Sequence, residues 1–154
     1  MNIENTEKLL TTYPLLYREL REFGFECGDG WFDLIWQLSA DIESAARLEG
    51  IAENSDAWPS VGIVKQKLGD LRVQFRASVP VSDNIRALVE MARIRSVGIC
   101  ELCAAPCKKT SKSEQTRWIE PLCENCLKAQ LSLQRTQDKA ELPVWMQLRN
   151  NDLK

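Results

Sequence analysis

The residues of this sequence that could do chemistry are concentrated in two Cys-x-x-Cys pairs, Cys100–Cys103 and Cys123–Cys126, with nineteen residues between them. Each pair folds two thiolates toward one point, and two such pairs complete the tetrahedral site that Zn²⁺ prefers. The spacing therefore predicts that Cys100, Cys103, Cys123 and Cys126 hold a structural Zn²⁺ ion. The alternatives are four reduced cysteines without a metal, or disulfides in an exported chain.

The chain contains no histidine, which removes several catalytic arrangements. Ser-His-Asp and Cys-His catalysis are impossible, and so is a catalytic zinc ligated by histidine. A zinc site made only of cysteine is usually closed, with no position open for water. We therefore expect the metal to stabilise the fold and the protein not to be an enzyme.

Two further cysteines and two carboxylates are weaker candidates for chemistry. Cys27 precedes a predicted helix, where the helix dipole stabilises a thiolate, but a buried packing role is preferred. Cys107 follows the first pair and is interpreted as a spare thiol. Asp29 and Asp33 could form a carboxylate pair, but a helix cap at Asp29 and a surface acid at Asp33 are the preferred interpretation.

Composition places the chain among globular proteins. It has 154 residues, of which 44% are hydrophobic and 27% are charged, enough for one domain with a core. The polar, acidic start does not resemble a signal peptide, and no apolar run is long enough to cross a bilayer. We therefore expect reduced or metal-bound cysteines in a cytoplasmic protein that does not bind membranes.

Periodicity predicts an α+β fold, with a mainly helical body, a small β element and a zinc-ribbon-like subdomain. Trp31, Ile35, Leu38, Ile42 and Ala45 form one apolar helical stripe, whereas Leu71, Val73 and Phe75 alternate with polar residues as in a half-buried strand. The predicted helices are 2–23 (interrupted at Pro14), 30–49, a short helix 59–69, 82–97, 126–139 and a last turn at 144–148, and the predicted strands are 71–77 and 117–120. The predicted organisation is a body over 1–98, a zinc-binding subdomain over 99–128, and a helical tail over 129–154 that packs on the body or binds a partner.

Basic residues are unevenly distributed, because acids outnumber bases up to residue 80 and bases outnumber acids after it. A basic surface with an aromatic residue could bind nucleic acid. The alternative is an ordinary solvated face with ion pairs. The candidate binding residues are Arg72, Arg76 and Arg93 on the body, and Lys108, Lys109, Arg117 and Trp118 between the cysteine pairs.

Three segments occur in an order that resembles a family of small proteins from bacterial phages and prophages. The segments are Cys27-Gly-Asp-Gly-Trp31, Val64-Lys-Gln-Lys67-Leu-Gly69-Asp-Leu71-Arg72 and Cys100-Glu-Leu-Cys103-Ala-Ala-Pro106. The chain departs from the family pattern at Leu68, where Phe is usual, and at Asp70 and Ala104, where Gly is usual. At Ala104 this departure affects the turn after the first cysteine pair, since glycine adopts a positive φ more easily.

The resemblance implies a phage context and transfers no catalytic activity. Together with the closed cysteine site, it leads us to expect an accessory protein that binds a host or phage protein in the cytoplasm of a bacterial host. Inhibition of a bacterial defence system is the role we expect. The alternative is a zinc-containing regulator that binds nucleic acid.

Overall fold

A computed structural model describes residues 1–20, 24–76, 80–108, 110–111 and 119–141. Two units are distinguished, Met1–Cys123 and Glu124–Lys154, and the first of them contains both the helical body and the first three cysteines of the two pairs. The predicted boundaries at 98/99 and 128/129 stay predictions. The elements are α1 (Ile3–Thr12), β1 (Phe25–Glu26), a 3₁₀ turn (Asp29–Trp31), α2 (Phe32–Leu48), β2 (Val61–Lys67), β3 (Asp70–Phe75), α3 (Asp83–Ser96), β4 (Thr110–Ser111), β5 (Ile119–Glu120) and α4 (Glu124–Glu141).

Helix α1 is shorter than predicted. It begins at Ile3, after the N-cap residue Asn2, whose side chain accepts a hydrogen bond from the amide of Asn5, and it ends at Thr12. The predicted second helix after Pro14 is wrong, because the chain makes hydrogen-bonded turns there instead. Proline disfavours helical geometry in the residue before it, and Tyr13 accordingly leaves the helix with φ −121° and ψ 55°. The part of the prediction at 21–23 lies outside the described residues.

Helix α2 is the central element of the first unit, and its predicted apolar stripe is buried in full. The helix ends just before Gly50, which has a φ of +74°. The amide of Gly50 donates to the carbonyl of Arg47, and the amide of Ile51 donates to the carbonyl of Ala46. This is a Schellman motif, which satisfies carbonyl groups at the helix end. Glu43, a charged residue of this helix, is buried and pairs with Arg47 at 3.0 Å.

The predicted short helix at 59–69 is wrong, because these residues form strand β2. Val61 and Val64 are both buried, at a three-residue spacing that is also found on one face of a helix. The reason is an irregularity in the pairing with β3, where Val61 is opposite Phe75 and Ile63 is opposite Gln74. Gly62 is thus an extra residue in the ladder, a β-bulge, and it brings two residues three apart onto one face.

The sheet has the order β1-β2-β3, with β1 parallel to β2 and β2 antiparallel to β3. Strand β3 matches the predicted strand at 71–77 apart from its end, and 77 lies outside the described residues. Helix α3 matches the prediction closely: Ser82 caps it by accepting from the amide of Ile85, and its buried residues include Ile85 and Ala92. The predicted strand at 117–120 is confirmed at Ile119–Glu120, which form β5 in a two-stranded ladder with β4, and 117–118 lie outside the described residues.

The second unit contains α4, which extends the predicted 126–139 helix by two residues at each end. The predicted turn at 144–148 lies outside the described residues. The fold class is confirmed, with helices, a small sheet and a cluster of four cysteines consistent with a zinc-ribbon-like subdomain. None of the helices in the described residues has the length and hydropathy needed to cross a membrane.

Candidate metal centre

The four cysteines of the two pairs lie together. The Sγ atoms of Cys100, Cys103, Cys123 and Cys126 are all within 4.8 Å of one another. The Sγ atoms of Cys103 and Cys123 are 3.6 Å apart. Zn–S bonds of about 2.3 Å in a tetrahedron place neighbouring sulfur atoms about 3.8 Å apart, whereas a disulfide bond is about 2.0 Å long. The donor set and its spacing therefore fit a metal ion coordinated by four thiolates.

The first cysteine pair lies in a tight turn closed by backbone hydrogen bonds. The amide of Ala104 donates to the carbonyl of Cys100 at 2.9 Å, and the amide of Cys100 donates to Ala105 at 2.8 Å. The amide of Cys107 donates to Gly98 at 3.0 Å, which closes the base of the turn. The turn directs the thiols of Cys100 and Cys103 to one place, with Cys100 buried and Cys103 exposed.

Ala104 has a φ of +62°, the left-handed conformation that glycine adopts at little cost. The turn therefore needs a positive φ at the position where the resembling proteins have glycine and this chain has alanine. The turn keeps this conformation with alanine, at an expected cost of about 1 kcal/mol. Leu68, another departure from the family pattern, also has a positive φ, of 55°.

The Gly-Asp-Gly-Trp segment before α2 holds this turn on the helical body. The amide of Gly30 donates to the carbonyl of Glu101 at 2.7 Å, and the indole Nε1 of Trp31 donates to the carbonyl of Ile99 at 3.0 Å. Trp31 itself is fully buried. Two backbone carbonyls of the metal-binding turn are thus fixed by residues about seventy positions earlier in the chain.

Only glycine fits at the two positions beside the turn. A Cβ atom on Gly28 would lie 2.2 Å from the carbonyl oxygen of Glu101. A Cβ atom on Gly30 would lie 2.3 Å from the carbonyl oxygen of Cys100 and 2.5 Å from the amide nitrogen of Ala104. All of these are backbone atoms, which cannot move aside as a flexible side chain could. We call the surface formed by Gly28, Gly30 and Trp31 the glycine platform.

The second cysteine pair follows a segment that is bonded to the first turn. The amide of Glu101 donates to the carbonyl of Pro121 at 2.9 Å, and the neighbouring Leu122 is fully buried. Cys123 comes directly after Leu122, and Cys126 lies in the first turn of α4. The segment that leads into the second pair is therefore fixed to the first turn through the backbone of Glu101.

Asp29 has a different role from the one predicted. It does not cap α2, whose N-cap residue Trp31 makes no side-chain capping bond. Its Oδ1 instead accepts from the amide of Asn2 at 2.8 Å and from Nδ2 of Asn5 at 3.1 Å, so it joins the start of α1 to the platform segment. Desolvation by burial raises the pKa of the Asp29 carboxyl, but these hydrogen bonds outweigh it and lower that pKa overall. Asp33 is exposed, as expected of a surface acid.

The two remaining cysteines show no sign of activation. Cys27 is buried, and burial raises the pKa of its thiol to about 12, as expected for a packing residue. Burial also raises the pKa of the Cys107 thiol, with the neighbouring cysteines adding to the effect, to about 11. Low thiol pKa is the usual mark of a reactive cysteine, so neither residue is a candidate nucleophile.

The arginines that sequence analysis singled out for binding contact carboxylates. Asp70, which is buried, contacts Arg93 at 2.9 Å and Arg72 at 3.3 Å. Arg76 forms an ion pair with Glu19. The structure does not gather these three side chains around one open site. Each of them is instead held by an acid within the first unit.

The other predicted binding residues lie between the cysteine pairs. Lys108 is exposed. Lys109, Arg117 and Trp118 lie outside the described residues. The glycine platform, by contrast, was missed as a functional element: its glycines entered only as part of the segment Cys27-Gly-Asp-Gly-Trp31, and Trp31 only as part of a helical stripe.

The chain was compared with protein-family models, with curated proteins and with solved structures, and none of the three comparisons gives a match.

Proposed function

We propose that this chain is a non-enzymatic zinc protein, in which the metal fixes a surface that binds another protein. Four thiolates are a soft donor set that suits Zn²⁺, and they occupy all positions of a tetrahedral ion. A bound ion would cross-link the segments that carry the two cysteine pairs. Its role is then to hold these segments in one conformation.

The observation that carries this proposal is the attachment of the first cysteine turn to the glycine platform. The turn is bonded through the carbonyls of Ile99 and Glu101 and has no space for a side chain at Gly28 or Gly30. A metal-binding turn fixed in this way is rigid before any partner arrives, and rigid surfaces lose little entropy on binding. Leu102, at the tip of the turn, is 46% exposed and would present an apolar contact.

The resemblance to phage and prophage proteins supports a role inside a bacterial host. An accessory protein of this kind would act in the cytoplasm, where thiols stay reduced and available to zinc. Its partner would be a host or phage protein, and inhibition of a bacterial defence system by covering a surface is the role we propose. Catalysis is not part of the proposal, because the chain has no histidine and its spare thiols have raised pKa values.

A nucleic-acid-binding regulator is the competing function. Arg72 and Arg93 share the buried carboxylate of Asp70, so phosphate binding at these two residues would have to disrupt that ion-pair cluster. Binding to phosphates would weaken steeply with salt, because it releases counterions. A mobility shift that appears at low salt and disappears as the salt concentration rises would favour this function over ours.

The test combines metal analysis with capture of the partner. Elemental analysis of purified protein should give about one zinc ion per chain, and Cys123→Ser should lower that value. Immobilised wild-type protein should retain a host or phage protein in a saturable manner, and removal of zinc by a chelator should release it. Leu102→Asp should weaken retention, whereas Leu48→Asp, at a leucine that is 86% exposed elsewhere, should not.

Two results would overturn the proposal. One is purified wild-type protein with far less than one zinc per chain under reducing conditions. The other is a partner that is retained equally well by the wild type, by Cys123→Ser and by chelator-treated protein, since the metal would then have no part in recognition.

A further inference from the structure

Among the residues that the structure describes, β3 is an outer strand of the sheet β1-β2-β3, and one of its edges has no neighbouring strand. Two hydrogen bonds establish which backbone groups point to that edge. The amide of Leu71 donates away from β2, to Oγ of Ser96 at 2.9 Å, whereas the amide of Arg76 donates to Ser60, next to β2, at 2.9 Å. Because amide direction alternates along a strand, the backbone groups of Leu71, Val73 and Phe75 point to the outer edge.

Helix α3 covers this edge at one end only. It is joined to β3 at Leu71 through Ser96, and at Asp70 through Arg93. Toward the other end of the strand a groove of about 500 Å³ lies between β3 and the first half of α3. Among the residues that the structure describes, none forms a hydrogen bond with the outward backbone groups of Val73.

The groove has an apolar lining and two cationic side chains. The apolar part comes from Val73 and Phe75 on one side and from Val81 and Val89 on the other. Uncovered strand edges are the surfaces on which proteins accept an additional strand. The groove therefore offers main-chain hydrogen bonds along one wall and apolar contacts along the other.

Charge indicates what kind of segment would fit. The only charged residues that line the groove within the described part of the chain are Arg76 and Arg86. Arg76 pairs with Glu19 and Arg86 lies 3.8 Å from Asp83, but both arginine side chains are more than half exposed, at 54% and 64%. Each guanidinium group has five N–H donors and belongs to a side chain that is more than half exposed, so both can contact an incoming carboxylate in addition to their present partners.

We propose that this groove binds an extended, acidic segment of a partner protein, which adds to β3 as a fourth strand. The segment's backbone pairs with Val73 and Phe75, its apolar side chains lie on Val81 and Val89, and its carboxylates contact Arg76 and Arg86. This mode of recognition takes affinity from the main chain and specificity from alternate side chains. The inference rests on the proposed function, since it names the part of the protein that the partner would contact.

The decisive variant is Val73→Pro. Proline removes the outward amide of residue 73 and leaves the hydrogen bonds between β2 and β3 in place, so it is tolerated at this strand edge. Val73→Thr is the matched control, because it keeps the outward amide and a β-branched side chain. Circular dichroism and thermal unfolding establish that both variants are folded, and Arg76→Gln combined with Arg86→Gln tests the charge requirement independently.

The probe is a random twelve-residue peptide library, selected on immobilised, zinc-loaded protein. We expect peptides that contain Asp or Glu between β-branched or aromatic residues. Val73→Pro loses one main-chain bond and leaves its acceptor on the peptide unpaired, and the double arginine variant loses two charge-assisted bonds, so we expect a loss of about tenfold in affinity in each. Val73→Thr should bind within about threefold of the wild type.

Three outcomes would overturn the inference: no peptide enriched above a blank surface, enriched peptides that are basic, or enriched peptides that bind Val73→Pro as well as the wild type. Concentration-dependent dimerisation that Val73→Pro abolishes would also overturn it, because the occupant would then be a second copy of this chain. If a natural partner is captured in a zinc-dependent manner and Val73→Pro retains it fully, the groove assignment fails while the proposed function stands. If the peptides behave as expected but no zinc-dependent partner is found, the proposed function fails while the groove assignment stands.

Discussion

Replacement of Gly30 by alanine should separate the glycine platform from the metal-binding turn. The added Cβ would lie 2.3 Å from the carbonyl oxygen of Cys100, where ordinary contact begins at 3.4 Å. The turn would have to move by about 1 Å, since a packed interior does not absorb such an overlap locally. That movement would break the hydrogen bond from the Gly30 amide to Glu101, which is 2.7 Å long.

The expected cost follows from these two effects. Overpacking of this kind costs about 1–3 kcal/mol, and a buried hydrogen bond left unmade costs about 1–3 kcal/mol. We therefore expect Gly30→Ala to lower the free energy of unfolding by about 2–6 kcal/mol, which lowers Tm by about 4–24 °C in a chain of this length. Each 1.4 kcal/mol of that cost that falls on the metal-bound state weakens zinc binding about tenfold.

Gly62→Ala is the matched control. A Cβ at Gly62 would meet no atom within 4 Å, and the backbone there is not in the left-handed region. The two variants should be compared by thermal unfolding of the zinc-loaded protein and by competition for zinc with a chromophoric chelator. If Gly30→Ala unfolds and binds zinc within experimental error of Gly62→Ala, the reasoning about the platform is wrong.

Three further substitutions test other parts of the argument. Ala104→Gly should raise the free energy of unfolding by about 1 kcal/mol, as a higher Tm, because it relieves the positive φ at that residue. Asp70→Asn should lower it by about 2–4 kcal/mol, and by more than Arg72→Gln does, because Asp70 is the buried partner of both arginines. Asp29→Asn should remove a pH dependence of the stability. The Asp29 carboxyl has a lowered pKa in the folded protein, so its contribution to the free energy of unfolding is complete above the ordinary pKa of 3.8. That contribution is lost as pH falls through the lowered pKa. Tm curves of the wild type and Asp29→Asn should therefore converge in acid, and parallel curves would contradict this.

The features that sequence analysis predicted well are those encoded by neighbouring residues. The apolar stripe from Trp31 to Ala45 and the cap at Ser82 need only helical periodicity and one side chain to be recognised. The proximity of the two thiols within each cysteine pair is of the same kind, because a Cys-x-x-Cys turn directs both thiols to one place regardless of the rest of the fold.

The main error, a helix at 59–69, has a specific physical cause. Val61 and Val64 are three residues apart and both buried, which a regular strand does not allow. The bulge at Gly62 permits it. A single glycine within a β-branched run is the signal that could have identified the strand, because bulges often contain glycine and helix interiors do not.

The glycine platform and the ion pairs could not be predicted from local patterns. Gly28 and Gly30 indicate a turn, but nothing in their neighbourhood shows that the backbone of Glu101 approaches them. In the same way, the residues near Arg93 in the sequence do not show that Asp70, a residue of β3, lies beside it and occupies its guanidinium group. These features depend on which segments the fold brings together across tens of residues.

The platform and the metal site are linked thermodynamically, and the link can be measured from either side. If binding of zinc holds the turn on Gly30 and Trp31, then zinc stabilises the helical body by the same free energy by which the body strengthens zinc binding. Gly30→Ala should consequently destabilise the zinc-loaded protein more than the metal-free protein, and the difference should equal its loss in zinc-binding free energy. Equal destabilisation of both forms would mean that the turn and the platform are neighbours without being coupled, and the metal would then not be what keeps this surface in place.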